Sequence, residues 1–371
     1  MADNNNNKIL NVPPLRFPEF EGEWKKIKLG DDCEIQMCKR ILAQQTSPEG
    51  DVPFYKIGTI GGIPDAYISQ DLFDTFKKKY NYPQKGEILI SCAGTVGRCV
   101  VFDGCPAYFQ DSNIVWARNK ENIYTNDFLF YILSKQNWRH LNTTTIVRIY
   151  NDDLRALKFS CPSIREQKKI AKLLNLIDER IATQNKIIEK LQSLIKGLTI
   201  SLTTKEKPNT ALSQCLECHS STLQESEVSP NGLYKVFGAN GMVGYTDVSQ
   251  MNGDAILIIK DGSGVGTTSY AQGEFSVIGT LNYLTAIGDY DLRYLYFVLS
   301  VFNFQPYKTG MAIPHIYFKD YGSAKIYCPP FAEQKRVANV LGKLESKLFV
   351  EQELLVSFNL QKQYLLGQMF I

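Results

Sequence analysis

Three short stretches carry residue types that could do chemistry. Cys215, Cys218 and His219 in "CLECH" (215–219) have the C-x-x-C-H spacing of covalent haem attachment, or part of a zinc ligand set. The polar, Asn-rich "MADNNNNKIL" start is expected not to be an export signal, and these residues fall short of the four ligands of a structural zinc site. Partly buried free thiols are therefore expected. "EQK", at 166–168 and 333–335, has the E-x-K spacing of some nuclease sites, where carboxylates hold a metal and a lysine stabilises charge. No paired aspartate precedes either copy on a strand, and both copies fall at predicted helix starts, so metal-dependent cleavage is not expected. "DGSGVGTT" (261–268) lacks the Lys-Ser/Thr ending of a phosphate loop, and its glycines suit tight turning or close backbone approach. An Asn-Pro-Pro-aromatic motif of adenine methyltransferases is also missing. The expectation is a chain with no catalytic residues, no metal ligands and no cofactor of its own.

The elements around these stretches are written twice. "CPSIREQKKIAKLL" (161–174) returns as "CPPFAEQKRVANVL" (328–341), 167 positions later, with seven of fourteen residues identical. Upstream, "GEILISCAGTVG" (86–97) parallels "GDAILIIKDGSGVG" (253–266), and "DSNIVWA" (111–117) parallels "GTLNYLTA" (279–286). "FLFYILS" (128–134) matches "LRYLYFVLS" (292–300), and "TIVRIYNDDLRALKFSCP" (145–162) matches "AIPHIYFKDYGSAKIYCP" (312–329). The order is unit, helix, unit, helix. Each unit has short Val, Ile, Tyr and Phe strands between Gly and Pro turns, plus short helices, which reads as an irregular β-rich α+β domain. Expected bounds are 1–162 and 204–329 for the units, and 163–203 and 330–371 for the helices; "TTKEKPN" (203–209) is the polar linker.

After Pro162 the spacing becomes helical. Ile170, Leu174, Ile177, Ile181, Gln184, Ile188 and Leu191 follow a 4-3 rhythm, a heptad seam that continues to Leu198. The second copy has the same phase through Val337, Leu341, Leu344, Leu348, Glu351, Leu355 and Phe358. Pro162 and Pro329 end the preceding strands, while Glu166 and Glu333 place a carboxylate in the first turn, where the helix dipole favours it. A helix from about 166 to 198 spans ~50 Å, too long for burial inside a small domain. Matched length and phase favour two seams that pair with each other, with Gln184 and Glu351 setting register; separate helices, each packed on its own unit, would explain the rhythm alone.

The chain has 371 residues, 44% hydrophobic, enough for two to four units with cores. No apolar run approaches the ~18 residues that cross a bilayer, and nine scattered cysteines do not form a secreted disulfide framework, so a cytoplasmic protein with no membrane partner is expected. Net charge is +3, unevenly placed: 161–207 holds 10 basic and 5 acidic residues, 208–327 holds 6 and 10. Any nucleic-acid contact by the second unit must rest on a few local cations rather than a broad field.

Two variable units, each ending in an I-Y…D…K…C-P…E-Q-K-x-[IV]-A…L run followed by a long helix, resemble the specificity subunit of type I restriction-modification systems. "LRFPEFEGEWKKIKLGD" (15–31) is similar to that family's lead-in to its first target-recognition domain, whereas the second unit starts at "NTALSQCLECHSS" (209–221) without it. The resemblance covers essentially the whole chain. It implies two target-recognition domains separated by an antiparallel helix pair with an internal pseudo-two-fold, each unit reading one half of a bipartite, asymmetric double-stranded DNA target. Two methyltransferase subunits, and motor-nuclease subunits in the full complex, would be the protein partners. S-adenosylmethionine, ATP and Mg would be bound by those partners. A coiled-coil scaffold that joins proteins without reading DNA is the alternative.

Base and phosphate contacts need Arg, Lys, Asn, Gln, Ser or Thr on loops and helix ends. Under the resemblance, the candidates in the first unit are Lys56, Thr59, Arg98, Asn142, Thr143, Thr144, Arg148 and Tyr150. In the second they are Lys235, Asn240, Lys260, Ser263, Thr267, Lys308 and His315. The "KKK" run (77–79) reads as a solvated face.

Overall fold

The computed structural model describes residues 10–119, 123–138 and 147–371. The chain divides into a first unit, Met1–Ala182 with Val356–Ile371, and a second, Thr183–Leu355. Each unit therefore contains part of both long helices, Ile164–Thr203 and Phe331–Gln368.

The first unit is built on an antiparallel sheet in the order Cys33–Met37, Ile114–Asn119, Ile88–Ser91, Cys99–Val101. Its central strand, ILIS, is buried on both faces, which is why it reads as a continuous apolar run rather than an alternation. Ile88 and Ile90 face a core shared with helix Asn126–Ser134 and the long-helix residues Ile170 and Leu174. Leu89 and Trp116 face a second core, under a small sheet in which Val52–Tyr55 pairs in parallel with Tyr108–Phe109. Each such aliphatic side chain contributes about 1.5–3 kcal/mol on burial.

The second unit repeats this plan. Its sheet runs Leu216–Ser220, Leu281–Ala286, Ala255–Ile259, Thr268–Ala271, antiparallel throughout. Ile256 and Ile258 enter the core of helix Leu292–Ser300, while Leu257 and Ile259 enter a second core under Tyr234–Gly238, which pairs in parallel with Glu274–Val277.

The repeated E-Q-K has a structural task in both units. Gln167 is fully buried; its Oε1 accepts from Thr125 N at 2.8 Å, and its Nε2 donates to Ile123 O and Pro162 O, both at 2.9 Å. Gln334 accepts from Asp291 N at 3.0 Å and donates to Pro329 O at 2.8 Å. Thr125 and Asp291 are the N-caps of the short aromatic helices, each accepting from the backbone N–H three residues on. One amide thus ties the start of each long helix to the start of the short helix beside it.

The neighbouring glutamates differ. Glu166, 1% exposed, takes a two-pronged ion pair from Arg16, with both N–O distances 2.8 Å, and a bond from Trp24 Nε1. That pairing raises the Arg16 pKa, the hydrogen bond to Glu166 being its main cause. Among the described residues, Glu333 pairs with Arg336 on its own helix, at 3.6 Å, and has no counterpart of Arg16 or Trp24, since the second unit lacks the "LRFPEFEGEW" lead-in that supplies them.

In the first unit, the stretch after Ile164 packs against the end of the second long helix. Leu365, Leu366, Met369 and Phe370 join the core of Ile170, Ala171 and Leu174, and Lys362 pairs with Asp178 at 2.5 Å. In the second unit, Gln184 donates to Glu351 O at 2.9 Å and to Glu351 Oε2 at 2.6 Å, while Leu198 and Leu202 join Val337, Ala338 and Leu341. Rising numbers on one helix meet falling numbers on the other, so the stretches paired inside the second unit are antiparallel. Of the seam residues, Ile177 and Ile188 are buried with Ile170, Leu174, Val337 and Leu341; Ile181, Leu191, Leu344, Leu348, Leu355 and Phe358 are half-buried.

Candidate nucleic-acid interface

At one rim of the first unit, three loops meet around the turn after Ile88–Ser91. Thr95 Oγ1 donates to Ile57 O at 2.8 Å, and Arg98 Nη2 donates to Gly61 O at 3.3 Å, which ties the turn to the loop holding Lys56 and Thr59. Lys56 pairs with Asp65 at 3.0 Å, and its backbone N–H donates to Thr59 Oγ1. The chain before Tyr150 closes the rim through Ile149 N to Cys92 O, 2.8 Å. Arg148 donates to Ser112 O at 3.3 Å, and its guanidinium lies 5.8 Å from the Tyr150 ring centroid. Asn142, Thr143 and Thr144 lie outside the described residues. Gly97, with φ +82°, is required here, since a Cβ would overlap Trp138.

The second unit builds the same rim from different residues. Ile316 N donates to Lys260 O at 2.9 Å, as Ile149 does to Cys92, and Gly266, φ +90°, turns against Phe304 as Gly97 does against Trp138. Lys260 Nζ meets Asp261 Oδ2 at 2.6 Å, and His315 Nδ1 meets Asp261 Oδ1 at 2.7 Å. Partial burial pushes the Asp261 carboxyl up, but the hydrogen bonds from Lys260 and His315 outweigh it and leave its pKa below the usual carboxylate value. Ser263 lies in this turn and Thr267 ends it. Lys308 follows the short Gln305–Tyr307 helix, one residue before Thr309, whose backbone exchanges hydrogen bonds with His315.

The remaining two candidates fall at opposite ends of one hairpin. Asn240 is at the tip between Tyr234–Gly238 and Gly241–Thr246, near the rim because Phe237 O accepts from Ile278 N and Thr280 O accepts from Lys260 N. Lys235 sits opposite Tyr245, about 10 Å back along the strand. The structure thus brings Asn240, Lys260, Ser263, Thr267, Lys308 and His315 to one region and leaves Lys235 outside it.

The rims also hold residues that are not among the sequence candidates, although the repeat aligns one of them, Tyr317, with Tyr150. Tyr317 stacks on His315 with ring centroids 6.5 Å apart, and Lys319 Nζ lies 5.4 Å from its ring. Arg40 pairs with Asp111 at 2.8 Å beside Ser112. Ile63, Met311 and Ile313 expose apolar side chains on loops of the two rims; an apolar residue amid Gly and Pro turn residues was the available signal.

"CLECH" is not a ligand cluster in this arrangement. Cys215 is buried at the end of the turn Leu212–Cys215, while Cys218 and His219 are successive residues of strand Leu216–Ser220 and leave opposite faces. His219 stacks on Tyr283 at 4.8 Å and bonds Thr285 at 2.9 Å. Among the described residues, no group of three or more His, Cys, Asp or Glu is placed to hold a metal, and no helix is long and apolar enough to cross a membrane.

A family model described as the type I restriction modification DNA specificity domain matches residues 21–193 and 216–356. A Haemophilus influenzae protein provisionally named as a type I restriction enzyme specificity subunit is 46% identical over 189 residues, covering 51% of this chain and 46% of that protein. The chain spans about half the length of the curated relatives it matches. Among solved structures, the S subunit of a type I restriction-modification system from M. genitalium has the same fold, with TM-score 0.70 over 97% of this chain and 99% of that one, at 19% identity. A chain from a structural study of type I system assembly and conformational transition matches with TM-score 0.55 over 96% and 99%, at 13% identity.

Proposed function

The chain belongs to the type I restriction modification DNA specificity family, and on that premise we propose that it is the non-catalytic specificity subunit of a type I restriction-modification complex. Each unit reads one half of a bipartite, asymmetric DNA target. The paired helices dock two methyltransferase subunits and, through them, the motor-nuclease subunits; S-adenosylmethionine, ATP and Mg are bound by those partners. The observation that carries this reading is one sheet, in one strand order, built twice, with different side chains on equivalent rims: Lys260 where the first unit has the buried Cys92, and Asp261 where it has Ala93. A homodimer of identical readers would suit a palindrome; two unlike readers in one chain suit unlike half-sites. The test is genome-wide mapping of methylated adenines in cells with and without this chain. One asymmetric two-part motif should vanish with the chain, and methylation unchanged by its loss would overturn the reading.

A further inference from the structure

This inference rests on the DNA-specificity reading and assigns contacts within it. Two half-sites that differ in bases still share a sugar-phosphate backbone. Side chains that differ between equivalent rim positions are then free to read bases, whereas an exposed side chain kept at both rims faces what the half-sites have in common.

Among the described residues, an exposed rim tyrosine is kept in this way. Tyr150 is 58% exposed and Tyr317 49%, and each follows a buried isoleucine, Ile149 or Ile316, whose N–H is held by the turn after the central strand. Each ring has a cation beside it: the Arg148 guanidinium at 5.8 Å from Tyr150, Lys319 Nζ at 5.4 Å from Tyr317. The cation comes from two residues before the tyrosine in one unit and two residues after it in the other, so the pairing recurs although the residue supplying it does not. Burial does not explain the choice of tyrosine, since about half of each side chain faces solvent. A tyrosine hydroxyl and a Lys or Arg near the same ring are suitable donors for one phosphate group.

We propose that Tyr150 with Arg148, and Tyr317 with Lys319, are equivalent phosphate contacts, one for each half-site, and that neither pair reads a base. The tyrosine hydroxyl donates to a phosphate oxygen, and the cation replaces a condensed counterion.

The experiment uses the full chain assembled with its methyltransferase partner. Binding to target duplex is titrated across salt concentrations, and the methylated motif is mapped for each variant. Tyr150→Phe and Tyr317→Phe keep the ring beside its cation and remove only the hydroxyl; each should weaken binding several-fold with unchanged thermal stability and an unchanged motif. Arg148→Ala and Lys319→Ala should each reduce the slope of log affinity against log salt by about 1. Parental affinity in both Tyr→Phe variants, or a motif altered at any base by any of the four, would overturn the proposal. If the unsubstituted complex itself shows no sequence preference, the DNA-specificity reading falls, and the phosphate contacts fall with it. That failure is seen before any variant is made.

Discussion

Gln167 and Gln334 show how much a single buried amide can organise. Each satisfies a backbone N–H at a short-helix N-cap and a proline carbonyl at a long-helix start, groups that would otherwise be buried without partners. Gln167→Ala and Gln334→Ala should each destabilise the chain by about 2 kcal/mol or more, measured by urea denaturation, although neither touches the proposed DNA contacts. Asp261 makes a different, pH-dependent contribution. Its folded-state pKa is depressed below the reference of 3.8, so its stabilisation is complete above that reference and is lost as pH falls through the lowered folded value. Denaturation between pH 6 and pH 2 should therefore show an acid limb that Asp261→Asn flattens; identical pH profiles for the two proteins would remove Asp261 from the account.

The long helices are decided by periodicity and by one polar break. Seam residues on both are buried or half-buried, and their solvent-side neighbours are exposed. At the break, Gln184 donates to both the backbone and the carboxylate of Glu351, its counterpart 167 residues on. Lys347 meets the other carboxylate oxygen at 2.9 Å, and the hydrogen bond from Gln184, then that from Lys347, holds the Glu351 pKa below the usual carboxylate value. A polar pair within an apolar seam favours one register at some cost in stability. If the helices set the spacing of the half-sites, removing one heptad from each at facing positions, 185–191 and 344–350, keeps the seam phase and shortens each by about 10 Å. Targets selected from a library of varied spacers by the shortened protein, assembled with its methyltransferase, should lose roughly three base pairs between half-sites. A folded, active variant that keeps the parental spacer would leave the helices as a docking surface alone.

At the scale of the whole molecule, the proposed function together with the duplication predicts units that are separable in function. The second unit's rim is assembled from residues between Phe237 and Lys319, all within one stretch of chain, and the first unit's from residues between Arg40 and Tyr150. Replacing 209–327 with the matching segment of a relative should change one half of the methylated motif and leave the other intact, as read by methylation mapping. A change in both halves, or in neither, would show that the units do not read independently.

Local pattern determined much of this protein. Period 3.5 spacing specified the helices and their seams, runs such as "ILIS" and "AILII" specified central strands, and the repeat specified two units of like plan, because these depend on side chains near one another in sequence. Tertiary structure decided what depends on distant partners. "EQK" resembled a metal site by spacing, yet its glutamine reaches back 42 or 43 residues to an N-cap, and Glu166 reaches 150 residues to Arg16. Lys235 and Asn240 looked alike as polar loop residues until hairpin pairing put them at opposite ends. The repeat already aligns Tyr317 with Tyr150, but that both are exposed, each with a cation near its ring, only the tertiary structure decides. Hydrogen-bond partners and exposure are set by chain segments far apart in sequence, and those segments meet only when the sheets close over their cores.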